Sequence, residues 1–199
     1  VTGIGYFFEP NKVIDGVTDF APYMTFQSVK SRNIINYPYS YYKDKGYYTT
    51  AKETLKPTIT SAYTLDEDPS KTVITICDPI VDKNDFKGVI TIELDLAAFD
   101  VLKHADSRFP SLFTSVMDDS GNFMFVSNEA LKGKNLSAAV DKDGVQKIQD
   151  KMKEGKSFHM EITNTSGVKR RVYLAPTAFG NTTWWSLMSI ASSDYQAVT

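Results

Sequence analysis

Two long β-branched runs, Thr72–Val81 and Lys87–Leu96, are separated only by the turn around DKND. Residues of this kind favour a pleated, half-buried surface, and strand, turn, strand at this spacing predicts an antiparallel hairpin. The second run alternates. Val89, Thr91 and Glu93 face one way and Ile90, Ile92 and Leu94 the other, because successive side chains of a strand leave opposite faces. Whatever else the chain forms, it must be arranged around this ribbon.

The rest of the first half supplies a strand at Val1–Glu9, a short helix over Tyr47–Thr54, a further strand at Pro57–Tyr63 and a turn at Asp66–Ser70. Leu96–Ala105 has helical spacing and could bridge two halves joined near residues 96–108. The second half repeats the theme without repeating the sequence. Ser115–Asp118 and Asn122–Ser127 flank DDSG, a hairpin signal with Gly at the bend. Lys142–Glu154 reads as a helix closed by Gly155. Strands follow at Ser157–Thr163, Lys169–Ala175 and Thr183–Ile190. Two small antiparallel sheets with helices on their faces make an α+β protein.

Composition narrows the function. The 199 residues carry a net charge of -2 at a pI near 5.7, and the charges are interspersed, so no nucleic-acid footprint is expected. Cys77 is alone and cannot form an intramolecular disulfide; in a β-like run it reads as a small buried hydrophobe. His104 and His159 are far apart, and with no Cys/His cluster a zinc site is not expected. No GxSxG, P-loop or GxGxxG is present, and neither histidine has an evident catalytic partner. The acid pairs Asp66/Asp68 and Glu93/Asp95 sit at turns and strand ends, where acids are ordinarily solvated or capping. No catalytic residue, enzyme activity, metal or cofactor is expected. There is no signal peptide and no apolar run of about 20 residues, and the chain reads as a strand from Val1, so a fragment of a longer protein is expected.

One region is unusual. Tyr37, Tyr39, Tyr41, Tyr42, Tyr47, Tyr48 and Tyr63 crowd a short stretch. Tyrosine suits pockets that are apolar at one end and polar at the other, although any one of these rings could equally pack on a sheet.

The order KGYYTTAKETLKPTITSAY, then VITICDPIVD, then FKGVITIELDL resembles the membrane-distal module of double Cache sensor domains. SVMDDSGNFMFVSNEALKGKNLS and YLAPTAFGNTTWWSLMSIASSDY are similar to the membrane-proximal module, so the resemblance covers nearly the whole chain. It implies two tandem PAS-like modules. Residues 1–96 would be the membrane-distal, ligand-binding module and residues 97–108 a linker helix. Residues 109–199 would be the membrane-proximal module, leading to a transmembrane helix. The long first helix of the family has no counterpart here. That helix pairs with its copy in a dimer, so a homodimer is implied for the full receptor but not for this fragment.

The resemblance also implies a function: extracytoplasmic small-molecule sensing for a membrane receptor of the chemotaxis, histidine kinase or cyclic-dinucleotide type. The alternative is the same fold serving as an interaction domain for a periplasmic binding protein. Family members that bind amino acids hold the ligand with residues that fall here on Lys45, Tyr47, Tyr48, Tyr63, Asp66 and Glu93; Tyr41 joins them from the tyrosine cluster. Lys45 would take a carboxylate, Asp66 and Glu93 an ammonium, and the tyrosines would supply walls and hydroxyl donors. An amine or a small organic acid fits the set as well as an amino acid. An exposed helix-start lysine and a surface acid would explain Lys45 and Glu93 too.

Overall fold

The computed structural model describes residues 1–65, 68–103 and 106–198. The chain forms two compact units, Val1–Ala97 and Ala98–Thr199, each built on one antiparallel sheet.

The first unit runs β1 (Gly3–Phe8), β2 (Pro22–Thr25), β3 (Ile35–Asn36), α1 (Tyr39–Tyr42), α2 (Gly46–Thr54), β4 (Thr58–Ile59), β5 (Tyr63–Thr64), β6 (Thr72–Asp82) and β7 (Asp85–Asp95). The sheet order is β3-β2-β1-β7-β6-β4, and β5 also pairs with β6. The expected hairpin is β6 and β7, near the middle of the sheet. Lys83 and Asn84 turn the corner with φ of 51° and 65°, the left-handed pair that matches strand twist in a two-residue turn.

Register decides which residues share a face. Glu93 pairs with Gly3 on one side and Thr75 on the other; Thr91 pairs with Gly5 and Cys77. Directly opposite residues project together, so the alternation expected for β7 is the alternation seen. Phe7, Val89 and Cys77 on this face pack with Tyr48 and Ala51 of α2, so the helix covers it.

Two expectations for this unit need correction. The strand expected at Pro57–Tyr63 is split into β4 and β5, because the Thr60 side chain interrupts the ladder: its Oγ1 accepts the Thr75 amide at 2.9 Å. The strands β2 and β3 and the helix α1 were not anticipated. All three are short, and they lack the β-branched density or helical periodicity that makes an element readable.

A 3-10 helix at Leu96–Leu102 occupies most of the stretch with helical spacing; His104 and Ala105 lie outside the described residues. The second unit continues with β8 (Phe113–Met117), β9 (Phe123–Val126), α3 (Lys142–Met152), β10 (Phe158–Thr163), β11 (Lys169–Phe179), β12 (Thr182–Ala191) and α4 (Ser192–Val198). Its sheet order is β10-β11-β12-β8-β9. Helix α3 starts where Asp141 Oδ1 accepts the Gly144 amide at 2.8 Å, a side-chain N-cap. Gly155 follows it with φ of 65°. The strand β11 continues past the expected stop at Ala175 and through Pro176, because β10 has already ended opposite Leu174. A proline is tolerated where one side of the strand is open. Ile148 and Met152 of α3 pack with Trp185, Leu174 and Leu187 in this unit's core. Among the described residues no helix is long and apolar enough to cross a membrane.

Candidate functional site

The inner face of the first sheet is polar at one end. Thr75 and Thr91 are buried there, and Glu93 sits between Gly3 and Thr75. The Tyr23 hydroxyl donates to Glu93 Oε2 at 2.6 Å. Tyr23 belongs to β2 and Glu93 to β7, with β1 between them, so the ring must lie across β1. The two glycines permit this. A Cβ on Gly3 would stand 1.9 Å from the Tyr23 hydroxyl oxygen, and one on Gly5 would stand 2.9 Å from its ring. The G-x-G at the start of β1 is therefore a trough, and it holds the side chain that orients Glu93.

Tyr47, Tyr63, Tyr41 and Lys45 gather near this end. Burial pushes the Tyr47 hydroxyl well above its usual range, and the nearby Tyr41, Tyr63, Cys77 and Glu93 push it the same way. Tyr47 is therefore a neutral donor. The Tyr63 hydroxyl lies 2.6 Å from Thr75 Oγ1, and Thr75 is the cross-strand partner of Glu93. Tyr41 stacks on Tyr37 with ring centroids 4.4 Å apart, and Lys45 Nζ stands 5.3 Å from the Tyr41 ring centroid. Lys45 is exposed at the N-cap of α2. Burial also pushes the Cys77 thiol up to about 12, so it offers no thiolate for nucleophilic chemistry. No metal-holding group of His, Cys, Asp or Glu occurs among the described residues.

Tyr48 is placed elsewhere. It is fully buried, and its hydroxyl donates to Glu9 Oε1 at 2.7 Å, where Tyr39 and Lys52 also donate, at 3.2 and 2.8 Å. Glu9 follows the last residue of β1, whereas Glu93 pairs with the first. Six residues separate these positions along the strand, about 20 Å. Neighbouring helix residues such as Tyr47 and Tyr48 do not share a face, so the aromatic pair is divided between the two acids. Asp66 lies outside the described residues. Tyr23 is the residue that reading the sequence missed; its only trace there is the missing bulk at Gly3 and Gly5.

A threonine-lined face, an oriented carboxylate and a half-buried aromatic wall can bind a polar molecule but contain no reactive pair. Residues 1–100 match the family model described as methyl-accepting chemotaxis protein-like, first PDC sensor domain. The chain belongs to this family. No curated protein matches it. Among solved structures, this PDC sensor domain is similar to the extracellular domain of mmHK1S-Z2, assigned to the histidine kinases. The identity is 19% over 98% of this chain and 77% of that one, with a TM-score of 0.78. It is also similar to the periplasmic sensory domain of the Campylobacter jejuni chemoreceptor Tlp1, at 15% identity, 96% and 72% coverage and a TM-score of 0.73. A third likeness is to the ligand-binding domain of the Pseudomonas aeruginosa PAO1 amino acid chemoreceptor PctB, in complex with L-Arg. There the identity is 16%, the coverage 98% and 73%, and the TM-score 0.63. At these identities the likeness carries the fold, which is that of double Cache sensors: two antiparallel sheets with few helices.

Proposed function

We propose that this PDC sensor domain is the extracytoplasmic sensing part of a transmembrane receptor, and that its first unit binds an amino acid or a related small amine or acid. In this reading the first unit is membrane-distal and the second membrane-proximal. Glu93 and Asp66 take the ammonium, Lys45 and the Tyr47 and Tyr63 hydroxyls take the carboxylate, and Tyr41 forms a wall. Tyr48 supports the helix from the Glu9 side.

The observation that carries the reading is the Tyr23–Glu93 hydrogen bond laid across two glycines. A strand acid held in one orientation on an inner face is pre-organised, and pre-organisation lowers the cost of capturing a cation. The L-Arg complex of PctB lends support from a related fold. Signalling requires the bound molecule to prefer one of two states of the domain; closure of the α2 face around the amine is the change we assign to it.

Calorimetric titration of the purified chain against the amino acids and simple alkylamines tests this. An amino acid that binds the wild type and binds Glu93→Gln at least about tenfold more weakly, a loss of about 1.4 kcal/mol, is the expected result. Binding of amines alone, unchanged in Lys45→Ala, would keep the acids and remove the lysine. A folded chain that binds none of the panel would overturn the small-molecule reading in favour of a protein partner.

A further inference from the structure

The inner face of the second sheet ends in a charge. Arg170, Val172 and Leu174 alternate along β11, and Val172 and Leu174 are core residues. Arg170 projects on the same face, opposite Ile162 on β10 and Ala191 on β12. An arginine thus stands where the pattern calls for an apolar side chain. It lines a cavity of about 580 Å³, whose walls also include Phe113, Leu136, Val140 and Asn164.

The guanidinium is fixed on one side only. Nε donates to Ser189 Oγ at 2.7 Å, and Nη2 donates to the carbonyls of Ser111 and Ser189 at 2.5 and 3.1 Å. These three acceptors are neutral, and they leave the two N–H donors of Nη1 without a hydrogen-bond partner among the described residues. The nearby Asp194 is committed to the Ser111 amide at 3.0 Å. The cavity lining contains no Asp or Glu, and its other cation, Lys103, is already paired with Asp100 and Glu129. Arg170 is half-buried, and partly burying a cation whose nearby anion is not directly bonded to it carries a cost. Burial accordingly pulls the Arg170 guanidinium down from its usual value, against the opposing charge of Asp194.

We propose that this cavity is a second binding site, for a small organic carboxylate, with Arg170 as the carboxylate-binding residue. Nη1 supplies charge-assisted donors, while the bonds of Nε and Nη2 hold the fork in place before anything binds. The leucine and phenylalanine walls take the hydrocarbon part, and the volume lies within the range of small-molecule sites, roughly 300–1,000 Å³. This site is independent of the Glu93 face.

The test is titration calorimetry of the purified chain with acetate, butyrate, hexanoate and benzoate. The expected result is that at least one of these acids binds, and that Arg170→Gln weakens it at least about tenfold. Ala138→Phe, which narrows the cavity and leaves the hydrogen bonds of Arg170 in place, should weaken binding; Glu93→Gln should leave it unchanged. If Arg170→Gln does not fold, Ala138→Phe decides. Failure of all four acids to bind the folded chain at millimolar concentration would overturn the proposal. So would binding that is unchanged in Ala138→Phe, or binding that Glu93→Gln removes.

Discussion

The two sheets hold their helices by different physics. The inner face of the second is filled with Met117, Leu174, Leu187 and Trp185 against Ile148 and Met152, with the small Ser115 buried among them and its charge, Arg170, at one end. The inner face of the first carries Gly3, Gly5, Thr75, Thr91 and Glu93 on the strands, and tyrosines above them. Much of its order comes from phenol hydroxyls: Tyr23 to Glu93, Tyr48 and Tyr39 to Glu9, and Tyr42 to the Phe8 carbonyl at 2.5 Å. An aliphatic core is non-directional and insensitive to pH. A phenol–carboxylate face is directional and depends on protonation state, which suits a unit that must recognise a polar molecule.

The two faces can be followed separately in solution. Both tryptophans, Trp184 and Trp185, lie in the second unit, and nine of the eleven tyrosines lie before residue 98. Trp185 is 2% exposed, so Trp185→Ala should cost the second unit about 3–5 kcal/mol through lost burial and a cavity. Thermal melts followed by the remaining Trp184 fluorescence should show the transition fall steeply while the tyrosine near-ultraviolet dichroism melts at its former temperature. A tyrosine transition that falls equally far would mean the two cores do not unfold independently.

Gly3→Val should have the next largest effect, at the opposite face. The new side chain must displace the Tyr23 ring, costing about 1–3 kcal/mol for an overfilled site and freeing Glu93 from its donor. Amine binding should weaken more in Gly3→Val than in Tyr23→Phe, which keeps the ring and loses only the hydroxyl. Equal titration curves for wild type and Gly3→Val would remove the trough from the account of the site.

The hairpin β6–β7 and the face that carries Glu93 were readable because period-2 alternation in a β-branched run is a strong signal. The neighbour of Glu93 was not readable. The missing bulk of Gly3 and Gly5 is visible in VTGIGYFF, but which ring fills it depends on β2, a four-residue strand with no pattern of its own. The resemblance assigns Tyr47 and Tyr48 to one site as the family's aromatic pair, although adjacency on a helix separates side chains by about 100°. Arg170 followed the rule in the other direction. Period 2 through KRRVYLA already places it with Val172 and Leu174, but the acceptors that hold its Nε and Nη2, on Ser111 and Ser189, come from distant segments that only the fold brings together.

A smaller effect separates the two acids of the first unit. Tyr48→Phe removes one of the three donors to Glu9 and should cost about 1–2 kcal/mol, as for a hydrogen bond to a charged group, without altering amine binding, because Glu93 is at the other end of β1.

Glu9 itself gives the pH signature. Burial would raise its carboxyl, but the hydrogen bonds from Lys52, Tyr48 and Tyr39 outweigh it and hold Glu9 below its ordinary 4.5. A carboxyl depressed in the folded state stabilises above its unfolded value, and the contribution is lost as pH falls through the folded one. The stability gap between wild type and Glu9→Gln, measured by tyrosine dichroism in urea, should be constant near neutrality and narrow below pH 4.5. The tryptophan signal of the second unit should show no difference between wild type and Glu9→Gln at any pH, since Glu9 and its donors all belong to the first. A gap that persists unchanged to pH 2 would mean Glu9 stabilises by packing rather than by charge, and the contrast between the two faces would then not rest on protonation.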